Sequence, residues 1–248
     1  MAGVRIAAAQ SYSVTGDIAA NVARHCWFVE AAAKAGVDLL VFPELSVTGY
    51  DLAGMQANAL SSEDARLEPI RALAIKHKMS IVVGAPLANA HGLPFIGAIA
   101  IGSDGTSTRY RKHFLHEGEE KFAAAGSAIS HIITVRGVPI ALAVCADTSD
   151  QQHPHAAVMA GATLYVAGSV ITPGGYAKEL NMLSGYAKLF SMGILLANHA
   201  FETGGYPSAG RSAIWLPDGQ LLIDAPDTGE CLVIGDEDSG SVVPLLHP

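Results

Sequence analysis

Charged and aromatic side chains are scarce in this sequence of 248 residues. Only 15% of the residues are charged and 6% are aromatic, whereas half are hydrophobic. This hydrophobic fraction supplies a large core, and the scarcity of charge predicts that part of the surface is buried in a homodimer or larger homo-oligomer. The net charge of −8 and the lack of a basic run argue against nucleic acid as a partner, because a phosphate backbone needs a basic face.

Long apolar runs and paired cysteines are also missing. The sequence has no apolar stretch of about 20 residues, which a membrane-spanning helix would need, so we expect no membrane partner. The first residues suggest a strand at Val4-Arg5-Ile6-Ala7 rather than a basic and apolar signal segment. The three cysteines, Cys26, Cys145 and Cys231, lie far apart, which favours free thiols and a cytoplasmic location over a disulfide framework.

Strand patterns alternate with helical patterns along the chain. Helices are predicted over residues 17–35, 67–77, 155–160 and 177–191. Hairpins are predicted from strands 95–102 and 106–111, 129–135 and 138–144, and 213–216 and 220–223. Further strands are predicted over residues 4–9, 39–42, 80–83, 163–167, 193–197 and 232–234. Hairpins mixed with strand–helix units predict mixed sheets, and the lack of a linker or repeat predicts one domain over residues 1–248.

Three short motifs place chemically active side chains where strands are predicted to end. They are Phe42-Pro43-Glu44, Tyr110-Arg111-Lys112 and Val144-Cys145-Ala146-Asp147. Such strand ends are where α/β sheets place their chemistry. A carboxylate, an ammonium group and a thiol together suggest a general base, an oxyanion stabiliser and a nucleophile.

The order of these motifs resembles that of the nitrilase, or carbon–nitrogen hydrolase, superfamily. Each match is weak alone, but their joint order and spacing make a strong signal. The matching stretches are Val41-Phe42-Pro43-Glu44-Leu45 with Thr48-Gly49-Tyr50, Ser103-Asp104-Gly105 with Tyr110-Arg111-Lys112-His113-Phe114-Leu115, Glu119 with Phe122 and Gly126, Val144-Cys145-Ala146-Asp147 with Gly161-Ala162, and Ala197-Asn198 with Gly210, Ser212 and Pro217-Asp218-Gly219.

The resemblance implies an α+β fold, a four-layer αββα sandwich of two mixed β-sheets with helices outside, which usually dimerises or forms larger assemblies. It also implies thiol-dependent hydrolysis of a non-peptide C–N bond in a small amide, through a cysteine thioester and with release of ammonia or an amine. We expect neither an organic cofactor nor a metal ion.

The resemblance assigns catalytic roles to Glu44, Lys112 and Cys145. A buried carboxylate at Glu44 would have a raised pKa and could accept the thiol proton. Lys112 would stabilise the oxyanion, although a solvated basic face is the alternative for this residue. Glu119 keeps the family's spacing to Gly126 and is preferred over Glu120 as a further, orienting carboxylate.

Three residues beside these are predicted to bind substrate. They are Tyr50, Ala146 and Asp147, with the backbone N–H of Ala146 as a second oxyanion donor.

The sequence departs from the family pattern after Asp147. An aromatic-Pro-Glu turn is usual there, but this chain has small polar residues from Thr148 to Pro154, which predicts a small or polar acyl group. The usual asparagine before the lysine hairpin is also absent from Pro94-Phe95-Ile96-Gly97.

Alternatives in function remain open at this point. They are an N-carbamoyl amide hydrolase, a true nitrilase, a non-catalytic binding protein on the same fold, and a papain-like protease, for which no local signature surrounds Cys145. His153 and His155 could ligate a metal, but no third ligand has a recognisable spacing. The glycine-rich stretch from Thr172 to Tyr176 is predicted to be a loop at the pocket.

Overall fold

The computed structural model describes residues 3–245. Its α-helices are α1 (Ile18–Lys34), α2 (Met55–Asn58), α3 (Glu68–His77), α4 (Gln152–Met159) and α5 (Pro173–Phe190). Its strands are β1 (Ile6–Gln10), β2 (Leu39–Val41), β3 (Ser80–Leu87), β4 (Phe95–Ile101), β5 (Ser107–Arg111), β6 (Ile132–Val135), β7 (Val138–Val144), β8 (Leu164–Ser169), β9 (Gly193–Asn198), β10 (Ala213–Trp215), β11 (Leu221–Asp224), β12 (Cys231–Gly235) and β13 (Gly240–Pro244). Within this part of the chain, no helix combines the length and apolar character needed to cross a membrane.

The strands form two mixed sheets. The first has seven strands in the order β13-β12-β1-β2-β3-β4-β5, and the second has six in the order β11-β10-β9-β8-β7-β6. In the first sheet β1, β2 and β3 pair in parallel and the other neighbours are antiparallel. In the second sheet only β7, β8 and β9 pair in parallel. The predicted mixed sheets and α+β class are confirmed.

Alternation along the strands explains the layers. Successive side chains of a strand point to opposite faces of its sheet. In β1, Ile6 and Ala8 belong to the cluster shared by the two sheets, whereas Ala7 and Ala9 belong to the cluster that packs against α1 and α3. A third cluster joins the outer face of the second sheet to α4 and α5. The three apolar clusters therefore separate four layers, helix, sheet, sheet and helix, which form the αββα sandwich.

The sequence located most elements within a few residues, with three differences. The stretch from Thr172 to Tyr176 is not a loop, because α5 begins at Pro173, where a proline is well tolerated in the first helical turn. The strand β13 follows β12 as an antiparallel partner and was not predicted, because its strand pattern is short and mostly exposed. The short helix α2 was also not predicted.

Candidate active site

The segment after β2 carries Glu44 between the two sheets. The segment fits there because the two neighbouring strands have glycine, which carries no side chain, where they face it. An added Cβ at Gly84 in β3 would lie 2.2 Å from the carbonyl oxygen of Pro43, and one at Gly168 in β8 would lie 2.6 Å from that of Phe42. The Glu44 side chain is therefore held in the interior and is only 1% exposed.

Lys112 follows β5 and lies between two carboxylates. Its Nζ donates to Glu44 Oε1 at 2.7 Å and to Glu119 Oε1 at 2.8 Å, and all three side chains are buried. The Tyr50 hydroxyl also donates to Glu119 Oε1, at 2.6 Å, and the His116 backbone N–H donates to Oε2. An ammonium group has three N–H donors, so one is left without an acceptor among the described residues.

Cys145 follows β7 at the start of a single 3₁₀ turn, Cys145–Ser149. Its φ of 43° is uncommon for a residue other than glycine and typical of strained functional positions. The turn is secured from both sides. Asp147 Oδ2 accepts from the Val144 N–H at 2.9 Å, and the Thr148 hydroxyl donates to the Cys145 carbonyl oxygen at 2.7 Å.

Burial and the Lys112 charge determine the ionisation of this group. Burial raises the pKa of Glu44 to about 7, against the lowering effect of the Lys112 ammonium. Burial would likewise raise the pKa of Glu119, but Lys112 brings it below its usual value. Burial first, and the Glu44 charge second, raise the pKa of the Cys145 thiol well above its usual value. As a consequence, Cys145 is a protonated thiol before the reaction, and Glu44 beside it can act as a base.

These side chains converge on one cavity of about 680 Å³. Cys145, Glu44, Glu119 and Tyr50 all line it, while Lys112 lies directly behind the two carboxylates. The second oxygen of Glu44, Oε2, is buried without a hydrogen-bond partner among the described residues. It is therefore available to accept a proton within the cavity.

Asp147 occupies a different place from the one expected of a substrate-binding residue. Its carboxylate accepts from the Tyr110 hydroxyl at 2.7 Å and from the backbone N–H groups of His113 and Phe114. Neither Asp147 nor Ala146 is among the cavity-lining residues. Asp147 thus joins the Cys145 turn to the segment after Lys112, and this position indicates support of the site rather than contact with substrate.

His153, considered as a metal ligand, is buried between two tyrosines. Its Nε2 is 2.7 Å from the Tyr110 hydroxyl and its Nδ1 is 2.9 Å from the Tyr165 hydroxyl. Both ring nitrogens therefore have partners. Within residues 3–245, no cluster of three His, Cys, Asp or Glu side chains could hold a metal ion.

Sequence reasoning missed three side chains that line the cavity. His116 Nε2 lies 3.3 Å from Cys145 Sγ, Ser169 Oγ is buried without a described partner, and Glu179 faces the Cys145 turn from α5. Only the fold brings them to Cys145. The polar residues Thr148 and Ser149 line the same cavity, as do Thr172 and Gly175, which agrees with the expected position of both stretches at the pocket.

Comparison with known proteins identifies a family match across nearly the whole chain. Residues 5–245 match the carbon-nitrogen hydrolase family. An arylacetonitrilase from Aspergillus kawachii is 29% identical over 121 residues, a match that covers 44% of this chain and 37% of that protein. The chain therefore spans well under half the length of this curated relative.

Solved structures show the same fold. The NitN amidase from Nesterenkonia sp. AN1 is 25% identical, with a TM-score of 0.86 over 94% of this chain and 92% of that chain. A mutant of that amidase with acrylamide added at its active-site cysteine is 24% identical, with a TM-score of 0.86 over 94% of this chain and 92% of that chain. A further mutant, in complex with butyramide, is 24% identical, with a TM-score of 0.85 over 98% and 90%.

Proposed function

Because this chain belongs to the carbon–nitrogen hydrolase family, we propose that it hydrolyses small amides through a thioester on Cys145. The observation that supports this most directly is the meeting of a thiol and an unpartnered carboxylate oxygen at one cavity, with an ammonium group bonded to that carboxylate from behind. The Nesterenkonia amidase, with its mutants bound to butyramide or modified by acrylamide at the cysteine, supports a small amide as substrate.

The first half of the proposed reaction forms the thioester. Cys145 Sγ attacks the amide carbonyl carbon while its proton passes to Glu44 Oε2. The carbonyl oxygen becomes an oxyanion, which the free N–H of Lys112 and the backbone N–H of Ala146 stabilise. Removing one such donor typically lowers the rate by about 10²–10³-fold. Collapse of this intermediate breaks the C–N bond, and the leaving nitrogen takes the proton from Glu44.

The second half consumes one water molecule. Glu44 takes a proton from water as the water oxygen attacks the thioester carbonyl carbon. The C–S bond then breaks, the acid leaves, and the proton returns to Cys145 Sγ. Glu119 holds Lys112 in place through its hydrogen bond, and Tyr50 holds Glu119, so both act as positioning residues in this scheme.

Nitriles and N-carbamoyl amides are the competing substrate classes, and the arylacetonitrilase relative favours testing nitriles. A panel of primary amides, N-carbamoyl amino acids and nitriles, followed by ammonia release, separates the three. We expect amides to be the best substrates.

The nucleophile is tested by substitution and mass spectrometry. Cys145→Ala should abolish turnover, and Cys145→Ser should be nearly as inactive, because an alcohol is a weaker nucleophile than a thiol. Cys26→Ala is the matched control, since Cys26 lies on α1 outside the cavity. Intact-mass measurement should show one acyl adduct, on Cys145. Retained turnover in Cys145→Ala, or an adduct on Cys26 or Cys231, would falsify the scheme.

We further propose that the whole chain is one carbon–nitrogen hydrolase domain and forms a homodimer or larger homo-oligomer in the cytoplasm. Exposed apolar side chains on neighbouring helices support self-association, with Met159 on α4 73% exposed and Leu189 on α5 61% exposed. The three unpaired cysteines support a reducing compartment. Sedimentation of the purified protein measures the oligomeric state.

A further inference from the structure

Glu179 is a half-buried carboxylate that lines the cavity and shares its protein hydrogen-bond donor with a backbone carbonyl group. Its Oε1 forms a short hydrogen bond with Thr148 Oγ1, and the same hydroxyl lies 2.7 Å from the Cys145 carbonyl oxygen. A hydroxyl carries one proton, so Thr148 cannot donate to both acceptors at once. When Glu179 is ionised, either its Oε1 or the Cys145 carbonyl oxygen therefore receives no hydrogen bond from Thr148.

Protein cations compensate the charge of Glu179 only weakly, because burial raises its pKa more than the Lys178 charge lowers it. Within residues 3–245 this carboxylate makes no ion pair, and Lys178 beside it in sequence is exposed. Glu179 is half-buried, and the two fully buried carboxylates of the cavity differ in this respect, because Glu44 and Glu119 share Lys112. Burial accordingly raises the pKa of Glu179. A ligand that brings a positive charge would supply both the donor and the charge that Glu179 lacks.

The surroundings of Glu179 suit the far end of an acyl chain. Thr148 and Ser149 follow the nucleophile in the turn, and Glu179 lies beyond them on α5. The remaining acidic and basic side chains of the lining, Glu117, Lys121 and His116, are exposed. Leu52 and Val170 offer apolar surface within the same cavity, against which methylene groups can pack.

We propose that Glu179 binds an ammonium group at the end of the substrate's acyl chain, so that the preferred substrates are primary amides of ω-amino acids. This inference rests on the proposed amide hydrolysis and names its substrate class. A charge-assisted hydrogen bond between ammonium and carboxylate is among the stronger polar contacts in proteins, and no cation of the described residues forms an ion pair with Glu179 that the ligand would have to displace.

Matched substrate pairs test the proposal. Each straight-chain primary amide is compared with its ω-amino counterpart, in which a terminal ammonium replaces the terminal methyl group, over a series of chain lengths. At the length that reaches Glu179, the kcat/KM of the ω-amino amide should exceed that of its neutral partner by about tenfold or more, the scale of one hydrogen bond to a charged group. The difference should lie mainly in KM.

Substitution of Glu179 tests whether this residue causes the preference for ω-amino amides. In Glu179→Gln the ratio of the two kcat/KM values should fall to about one, because glutamine keeps the size of the side chain without its charge. Glu237→Gln removes the same charge from an exposed turn outside the cavity and should keep the wild-type ratio. If Glu179→Gln does not fold, calorimetric titration of Cys145→Ala with both members of a pair replaces it, and the ω-amino amide should bind about tenfold more tightly.

The outcomes separate this inference from the function on which it rests. Neutral and ω-amino amides hydrolysed at equal rates at every length would overturn the inference and leave amide hydrolysis standing. A preference that persists in Glu179→Gln would also overturn it. Folded wild-type protein that releases ammonia only from nitriles or N-carbamoyl compounds would overturn the proposed function, and the inference with it.

Discussion

At the scale of single residues, Glu44 shows how the fold sets chemistry through competing effects. Burial in the sandwich disfavours its charge, whereas Lys112 favours it, and the pKa rises to about 7. A carboxyl group whose folded pKa is raised contributes stability below its unfolded pKa and loses that contribution as the pH rises through the folded value. The raised pKa of Glu44 therefore lowers the stability of the fold above about pH 7, and it also makes Glu44 a base that titrates near neutral pH.

The ionisation of Glu44 predicts an acid limb in the pH profile of activity. Glu44 must be deprotonated to accept the thiol proton, so kcat/KM should fall as the pH falls through about 7. The Glu119 charge raises the pKa of Glu44, although less than burial does. Glu119→Gln should therefore move the acid limb to lower pH, as well as reduce the rate. Initial rates of ammonia release between about pH 5 and 9 measure both effects.

Glu120 provides the control for this shift. It is adjacent to Glu119 but exposed, and its carboxylate only caps the Gly118 N–H. Glu120→Gln should leave the acid limb in place. A limb that moves equally in both variants, or a profile that is flat across neutral pH, would show that Glu44 is not the titrating base.

At the scale of elements, the strand ends position the proposed catalytic groups by close backbone packing. The segment carrying Glu44 is bonded to β3, since the Val47 N–H donates to the Gly84 carbonyl oxygen at 3.0 Å. The His199 ring approaches the Glu44 carbonyl oxygen at 2.8 Å. This segment runs where a side chain on Gly84 or Gly168 would collide with it, so glycine at these positions is a requirement of the site.

Gly84→Ala tests this packing. The new Cβ would lie 2.2 Å from the Pro43 carbonyl oxygen and 2.4 Å from the Leu45 nitrogen, so the Glu44 segment must move. We expect a loss of about 1–3 kcal/mol in unfolding free energy, as for other overpacked cores, and a fall in kcat larger than the rise in KM. Urea unfolding and steady-state kinetics measure the two effects.

Gly185→Ala is the matched control, because an added Cβ at this exposed position in α5 meets nothing within 4 Å. Alanine is favoured over glycine inside a helix by about 1 kcal/mol, so this variant should be at least as stable as the wild type and equally active. Full activity in Gly84→Ala would mean that the Glu44 segment does not depend on the glycine backbone.

At the scale of the whole molecule, the two sheets share one apolar cluster. It includes Ile6 and Val41 from the first sheet and Leu142, Val166 and Leu195 from the second. Neither sheet could bury this face without the other. We therefore expect the sandwich to unfold as one cooperative unit, as a single domain does.

The two tryptophans report on the two halves separately. Trp27 lies on α1, against the first sheet, and Trp215 lies in β10 of the second sheet. In Trp215→Phe the fluorescence reports the first half, and in Trp27→Phe the second. Within each variant, the urea midpoint from fluorescence should coincide with that from circular dichroism. Two separated transitions in either variant would contradict a single domain.

Local pattern in the sequence was enough to predict most elements, and the order of the motifs along the chain was enough to indicate the family. Hairpin turns, helix stop signals and apolar alternation act over a few residues, and the structure confirms the strands around Ser103-Asp104-Gly105 and Arg136-Gly137. The local pattern predicted the wrong structure where tertiary contacts determine the conformation. The first turn of α5 has two glycines that favour a loop, yet it packs as helix, with Tyr176 buried against the second sheet.

The amino-acid sequence was sufficient to predict the mixed sheets and the motifs around Glu44, Lys112 and Cys145, because these depend on residues close together in the chain. The order and spacing of the motifs along the whole chain then indicated the family, and with it the two-sheet sandwich. Three features became visible only in the folded molecule: Lys112 contacts both Glu44 and Glu119, Asp147 supports the turn rather than lining the cavity, and Glu179 contacts Thr148. The Glu44–Lys112 and Thr148–Glu179 contacts span 68 and 31 residues. They arise from how the layers stack, which no local pattern in the chain encodes.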